Sequence, residues 1–219
     1  MHKALQDPTI REALRVFGEK GFDAATAEDL AEASGISRAT FFRRYRSKVD
    51  VLFADHDALL ERIADLLAGS RGDPYAAVCR AAVYVLTQLL SDPDVARARY
   101  ELVHKVPILR EREILNIRRY EVLFVQHLRR AEPDGDPDVA VGFAAAVVAV
   151  HNAAHREWLS GDSGVTPASL GARLRRIRAC FDSASPERPS GGHVIAVRFD
   201  DTAARSEVLT RIGELLDEA

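Results

Sequence analysis

From residue 7 to residue 182 the sequence repeats one pattern: apolar side chains at three- and four-residue spacing, interrupted every ten to twenty-five residues by Pro, Gly or Asp. That period belongs to the α-helix and leaves no run long enough to build a sheet. A first helix is expected from about Pro8 to Lys20, with Asp7 as cap, Ile10, Ala13, Leu14 and Phe17 on one face, and Gly21 as terminator. Thr26 opens a second, through the capping box "TAED", and Gly35 breaks it. Ser37 caps a third, from Arg38 to Tyr45, and "SKVD" at 47–50 opens a fourth that is expected to run on to Ala68. After the loop "GSRGDP", longer helices are expected near 74–90, 94–104, 107–131, 137–160 and 167–182. The expected fold is all-α, without internal repeats.

The end of the chain breaks the pattern. "SPERPSGG" (185–192) reads as a linker, "HVIAVRF" alternates like a strand, and Val208, Leu209, Ile212, Leu215 and Leu216 form a helical stripe. A short strand-helix extension is therefore expected, its strand pairing with a second copy or an ordered loop. The expected domains are 1–47, 48–184 and a tail of 185–219.

Of the 219 residues 47% are hydrophobic and 29% charged, the balance of an ordinary globular protein. Cys79 and Cys180 form neither a disulfide framework nor a CxxC pair, which suits a reducing cytoplasm. The N-terminal stretch lacks the apolar run of a signal peptide, and "VGFAAAVVAV" (141–150) is too short to span a bilayer, so no membrane partner is expected.

Net charge is −3, and residues 1–50 hold nine Lys/Arg against eight Asp/Glu. Nucleic-acid binding would therefore depend on a local patch rather than on the overall field. Such a patch exists: after Glu32, the stretch to residue 48 carries Arg38, Arg43, Arg44, Arg46 and Lys48 and no acid. A short helix, a glycine turn and a second capped helix with the basic residues form the layout of a helix-turn-helix. Phe41 and Tyr45, four apart, would anchor the basic helix, leaving Arg38, Ala39, Thr40, Phe42 and Arg43 toward a groove. Arg38 suits the two acceptors of a guanine edge, and Thr40 a phosphate or base. Thr26, Ser37 and Lys48 stand at helix starts, where amides and an ammonium favour phosphate. A solvated basic face on a plain helical hairpin is the competing reading.

Residues 10–52 resemble the N-terminal DNA-binding domain of TetR/AcrR-type transcriptional repressors, through "F-x-x-K-G-F", Thr26, "L-A-x-x-S-G-I-S" and "T-F-F-x-x-Y-x-S-K". One departure stands out: Phe42 occupies the position that in the family usually holds a phosphate-binding Tyr, and Tyr45 takes the slot of a Phe. The resemblance implies a homodimer on a palindromic double-stranded operator, with a C-terminal domain for dimerisation and a small, hydrophobic effector. It also implies no catalysis and no cofactor. The helices at 137–160 and 167–182 are the candidates for pairing with their copies, and the fourth helix for linking DNA to the sensor.

Polar and aromatic residues interrupting apolar faces are candidate ligand contacts: Tyr84, Tyr100, His104, Tyr120, Phe124, His127, Phe143, His151, Asn152, His155 and Trp158. For each, simple packing is the rival explanation. "HNAAH" places His151 and His155 at the spacing of paired zinc ligands, but without the Glu of a zincin motif. "DHD" at 55–57 reads as a solvated helix side. A metal-dependent helical-bundle enzyme, which does not explain residues 26–48, and a non-DNA helical adaptor with a degenerate helix-turn-helix are the alternatives to a regulator.

Overall fold

The computed structural model describes residues 7–182, and they form ten α-helices. The expected linker, strand and helix of 185–219 lie outside the described residues. The helices are α1 (Pro8–Lys20), α2 (Ala27–Ala33), α3 (Arg38–Arg44), α4 (Lys48–Val51), α5 (Ala54–Ala68), α6 (Pro74–Leu89), α7 (Pro93–Lys105), α8 (Pro107–Ala131), α9 (Pro137–Leu159) and α10 (Pro167–Asp182). Their starts are written locally. Asp7, Asp73, Asp92 and Asp136 each accept from a backbone N–H in the first turn of a helix that has proline at its start.

Two cores organise these helices. The first gathers Ala13, Phe17, Leu30, Ala31, Phe41 and Tyr45, all nearly inaccessible, and continues past residue 47 into Val51, Leu52 and Phe53. Val103 of α7 and Leu109 of α8 close it from below. The second is a bundle core of α5, α6, α8, α9 and α10, with Ile63, Leu86, Phe143, Val147 and Leu174 at its centre.

One expectation is corrected here. The fourth helix does not run unbroken from 48 to 68; it stops at Val51 and restarts at Ala54. Val51, Leu52 and Phe53 are consecutive and all buried, at 0%, 0% and 3% exposure. Successive helical side chains fan out by about 100°, so a regular helix cannot bury three in a row on one side. The chain tightens instead, with Leu52 N–H donating to Val49 O and Phe53 N–H to Asp50 O, both at 3.2 Å.

Across its full 23 residues α9 is, by length and composition, apolar enough to cross a membrane, unlike the shorter stretch weighed from sequence. Part of its apolar side is already in use. Ala140, Phe143, Ala144, Val147, Val148 and Ala154 are buried in the bundle core, while Val141 remains 49% exposed.

Candidate nucleic-acid interface and cavity

The turn between α2 and α3 depends on Gly35, at φ 66°, where a side chain would be strained. Ile36 N–H donates to Ala31 O at 3.0 Å, and Ser34 Oγ to Leu30 O at 2.7 Å, closing the end of α2. At its other end Thr26 and Asp29 form the capping box reciprocally, at 2.9 and 3.2 Å. Lys20 adds a 2.7 Å contact, and these donors hold the Asp29 carboxyl at about 2, Lys20 being the main cause. Ser37 accepts from Thr40 N–H at 3.1 Å and donates to the Thr40 hydroxyl at 3.0 Å, so the start of α3 is fixed before any partner arrives.

The outward face of α3 holds Arg38, Ala39, Phe42 and Arg43, all exposed, with Thr40 half-buried beside them. Phe41 turns inward and meets Tyr45 at 5.2 Å between ring centroids. Arg38 pairs with Glu28 of α2 at 2.8 Å and lies 5.6 Å over the Phe42 ring. The exchanged Phe42 and Tyr45 thus have separate tasks: the phenyl ring stays outside, and the phenol is buried. Tyr45 donates to Asp7, and burial first, then that contact, pushes its hydroxyl up to about 12. The same carboxylate receives Arg44 at 3.0 Å.

Two residues expected at phosphates have internal partners. The Thr26 hydroxyl donates to Asp29 at 2.9 Å. Lys48 Nζ donates to the carbonyls of Phe22, Asp23 and Ala25 at 2.6, 3.2 and 3.1 Å and lies 4.5 Å from the centroid of the Phe22 ring. Its three protons stitch the loop before α2 rather than pointing at solvent.

A cavity of about 300 Å³ lies under this module, lined from α1, α5, α6, α7, α8 and α9 and by Phe53. Of the residues singled out from sequence it takes in Tyr100, Tyr120, Phe124, His151, Asn152 and His155. The others lie elsewhere. Phe143 is core, edge-on to Tyr75 and Phe181. Tyr84 packs on the bundle core, and His104 is exposed, donating to Tyr100 O at 2.9 Å. Trp158 packs under Arg97, and His127 lies outside the wall.

Sequence reading missed much of the cavity's polar wall. Asp55 and His56, read as solvated, face inward, and only Asp57 of "DHD" is exposed. Arg99 forks onto Asp55 at 3.1 and 2.7 Å. His56 Nδ1 lies 3.3 Å from the Tyr120 hydroxyl, whose acidity burial suppresses. Burial also pushes His151 down to about 4 and His155 to about 3, so both are neutral at pH 7. Their rings are 6.5 Å apart, and the described residues hold no group of three His, Cys, Asp or Glu suited to a metal ion. Asp7, the cap of α1, and Arg11 within it also reach the wall, Arg11 pairing with Asp92, the cap of α7, at 2.5 Å.

Comparison with known proteins decides what this pairing of module and cavity belongs to. Residues 10–54 match the family of tetR bacterial regulatory proteins, and residues 73–182 match the MftR C-terminal domain. The chain belongs to the TetR family of transcriptional regulators. It is 29% identical over 193 residues, 83% of each chain, to the HTH-type transcriptional regulator TcmR of Streptomyces glaucescens. In fold it is similar to a TetR-family protein of Syntrophomonas wolfei, with a TM-score of 0.61 at 13% identity, covering 82% of this chain and 96% of that one. It is also similar to NalD, the secondary repressor of the MexAB-OprM efflux pump in Pseudomonas aeruginosa. There the TM-score is 0.54 at 18% identity, with 78% and 93% covered. The regulator is thus a DNA-binding, non-enzymatic protein with a TetR helix-turn-helix and an MftR-like C-terminal domain.

Proposed function

We propose that this regulator is a dimeric repressor that holds a palindromic operator through α3 and releases it when a small molecule fills the cavity. The observation that carries this reading is the place of Asp7. It caps α1, holds the last turn of α3 through Tyr45 and Arg44, and forms part of the cavity wall. A ligand that displaces α1 therefore disturbs the reading helix directly. It needs to favour the released shape by only about 1–3 kcal/mol.

Arg38, Ala39, Thr40, Phe42 and Arg43 are the proposed groove-facing residues, with Thr26, Ser37 and Lys48 ordering the helix starts that surround them. Two copies are required, because successive major-groove faces are about 34–36 Å apart. The proposed seam is α9 with α10, where Val141 and the small residues Ala145 and Ala149 leave α9 incompletely covered. A protein working on operator DNA acts inside the cell.

Fluorescence anisotropy with duplexes from the regulator's own promoter region tests the reading. One palindrome should bind as a 2:1 complex, with an affinity that falls steeply as salt rises. A strictly monomeric protein, or one with no preference among duplexes at low ionic strength, refutes it.

A further inference from the structure

The outward face of α3 carries two arginines, and their surroundings differ. Arg38 Nε lies 2.8 Å from Oε1 of Glu28, in the first turn of α2. Its guanidinium carbon lies 5.6 Å from the centroid of the Phe42 ring, one turn further along α3. Arg43 has neither an ion pair nor a ring contact among the described residues. One cation of this face is held from two sides, and the other is loose.

The way Arg38 is held decides what it can still offer. A guanidinium has one N–H at Nε and two at each Nη. The carboxylate stands at Nε, on the stem side, and among the described residues neither Nη has a hydrogen bond or an ion pair. The open edge is therefore the pair of Nη groups, an end that can fork onto guanine O6 and N7. Arg38 is also the first residue of α3, directly after Ser37, whose cap on Thr40 N–H fixes the backbone there. A long side chain loses rotamer freedom when it docks, and one already held loses less.

Phe42 belongs to the same arrangement. It has no hydroxyl to offer a phosphate, yet its exposed ring faces Arg38 at cation–π distance. It stands edge-on to the buried Phe41, 5.8 Å between centroids, which steadies the ring in turn. Carboxylate, guanidinium and ring thus join α2 to α3 across the turn at Gly35.

Taking α3 as the groove-entering helix, we infer that Glu28 is a positioning residue for sequence recognition: it holds the Arg38 guanidinium over Phe42 with its Nη edge presented to one guanine in each half-site. A carboxylate beside DNA repels the phosphates of every sequence alike, so repulsion by itself lowers affinity without discriminating. Positioning is local, because it concerns only the base pair that Arg38 meets.

A preferred palindrome, selected from random duplexes with the full chain, supplies the test. Its affinity is measured by fluorescence anisotropy beside variants changed at each base pair in turn. Arg38→Ala should relax discrimination at one base pair per half-site by about fivefold or more. Glu28→Gln should relax it at that same base pair by about two- to fivefold, the range an exposed ion pair supports. Glu28→Asp keeps the charge but draws it back by one methylene, and it should behave like Glu28→Gln. Phe42→Leu should relax the same base pair, and Phe42→Tyr, which keeps the ring, should not. In an Arg38→Ala background Glu28→Gln should change discrimination no further. A uniform gain in affinity on all duplexes with Glu28→Gln, without relaxation at that base pair, would make the acid a plain repeller and overturn the inference. An effect on discrimination that persists without Arg38 would make Glu28 a base contact in its own right and overturn it too. The groove reading of α3 is tested apart from this: if Arg38→Ala leaves discrimination untouched, that reading falls, whereas an intact Arg38 effect with inert Glu28 variants overturns the positioning role alone.

Discussion

In α3, Arg38, Ala39, Phe42 and Arg43 come from six consecutive residues and stand in solvent, whereas the polar wall of the cavity draws Asp55, Arg99, Asn116 and His151 from four different helices. The first surface is made by local rules. A cap, a glycine turn and a four-residue aromatic spacing decide which side chains point out. In the second, each polar group is useful only because the bundle brings a distant partner to it, as Arg99 and Asp55 show across 44 positions. Function on the surface tolerates change one residue at a time; function in the cavity is bound up with stability.

That contrast can be broken or sharpened by experiment. Adjacent rings give the largest separation. Phe41→Ala should cost about 3–5 kcal/mol in urea unfolding, because Phe41 is fully buried. Phe42→Ala, at a position 45% exposed, should stay within about 0.5 kcal/mol and yet weaken duplex binding. Similar stability losses for the two would mean that α3 is not oriented as described. On the cavity side, Asp55→Asn should cost about 3 kcal/mol in thermal unfolding, since it leaves a largely buried Arg99 without its carboxylate. A loss below about 1 kcal/mol would class the pair with surface bridges.

Arg38→Ala should leave stability unchanged but reduce discrimination at one base pair per half-site by about 1–3 kcal/mol, read from affinities for operator variants. A uniform loss on every duplex would make Arg38 a phosphate contact instead. The most gradual effect is that of pH. In the folded protein His151 and His155 titrate near 4 and 3, below the 6.5 of an unfolded histidine. Below pH 6.5 the unfolded chain therefore binds more protons, and stability falls with pH toward those lower values. Each histidine should remove about 1.4 kcal/mol per pH unit at most in that window, and His155→Gln should flatten the melting-temperature profile. A profile unchanged by the substitution would mean that His155 is already hydrated.

Most helix boundaries were legible because Asp-Pro starts, Ser and Thr caps and glycine stops are local signals, and so was the outward face of α3. The break at Leu52–Phe53 was not, because Val51, Leu52 and Phe53 look like ordinary helix residues until one core claims all three. In the cavity, Tyr120, His151 and His155 stood out as polar interruptions of apolar faces. Asp55, Arg99 and Asn116 did not, for a charged or polar residue on a helix reads as solvated unless its surroundings are known. The internal partners of Lys48 were hidden for the same reason: its ammonium lies beside three carbonyls more than twenty positions earlier.

The carboxylate of Asp7 has a mechanical consequence. Because one side chain is shared by the start of α1, the end of α3 and the cavity wall, the proposed detection and release steps meet at a single carboxylate. In the proposed release mechanism a displacement of α1 at the wall therefore reaches the basic helix through one side chain rather than through a chain of packed residues.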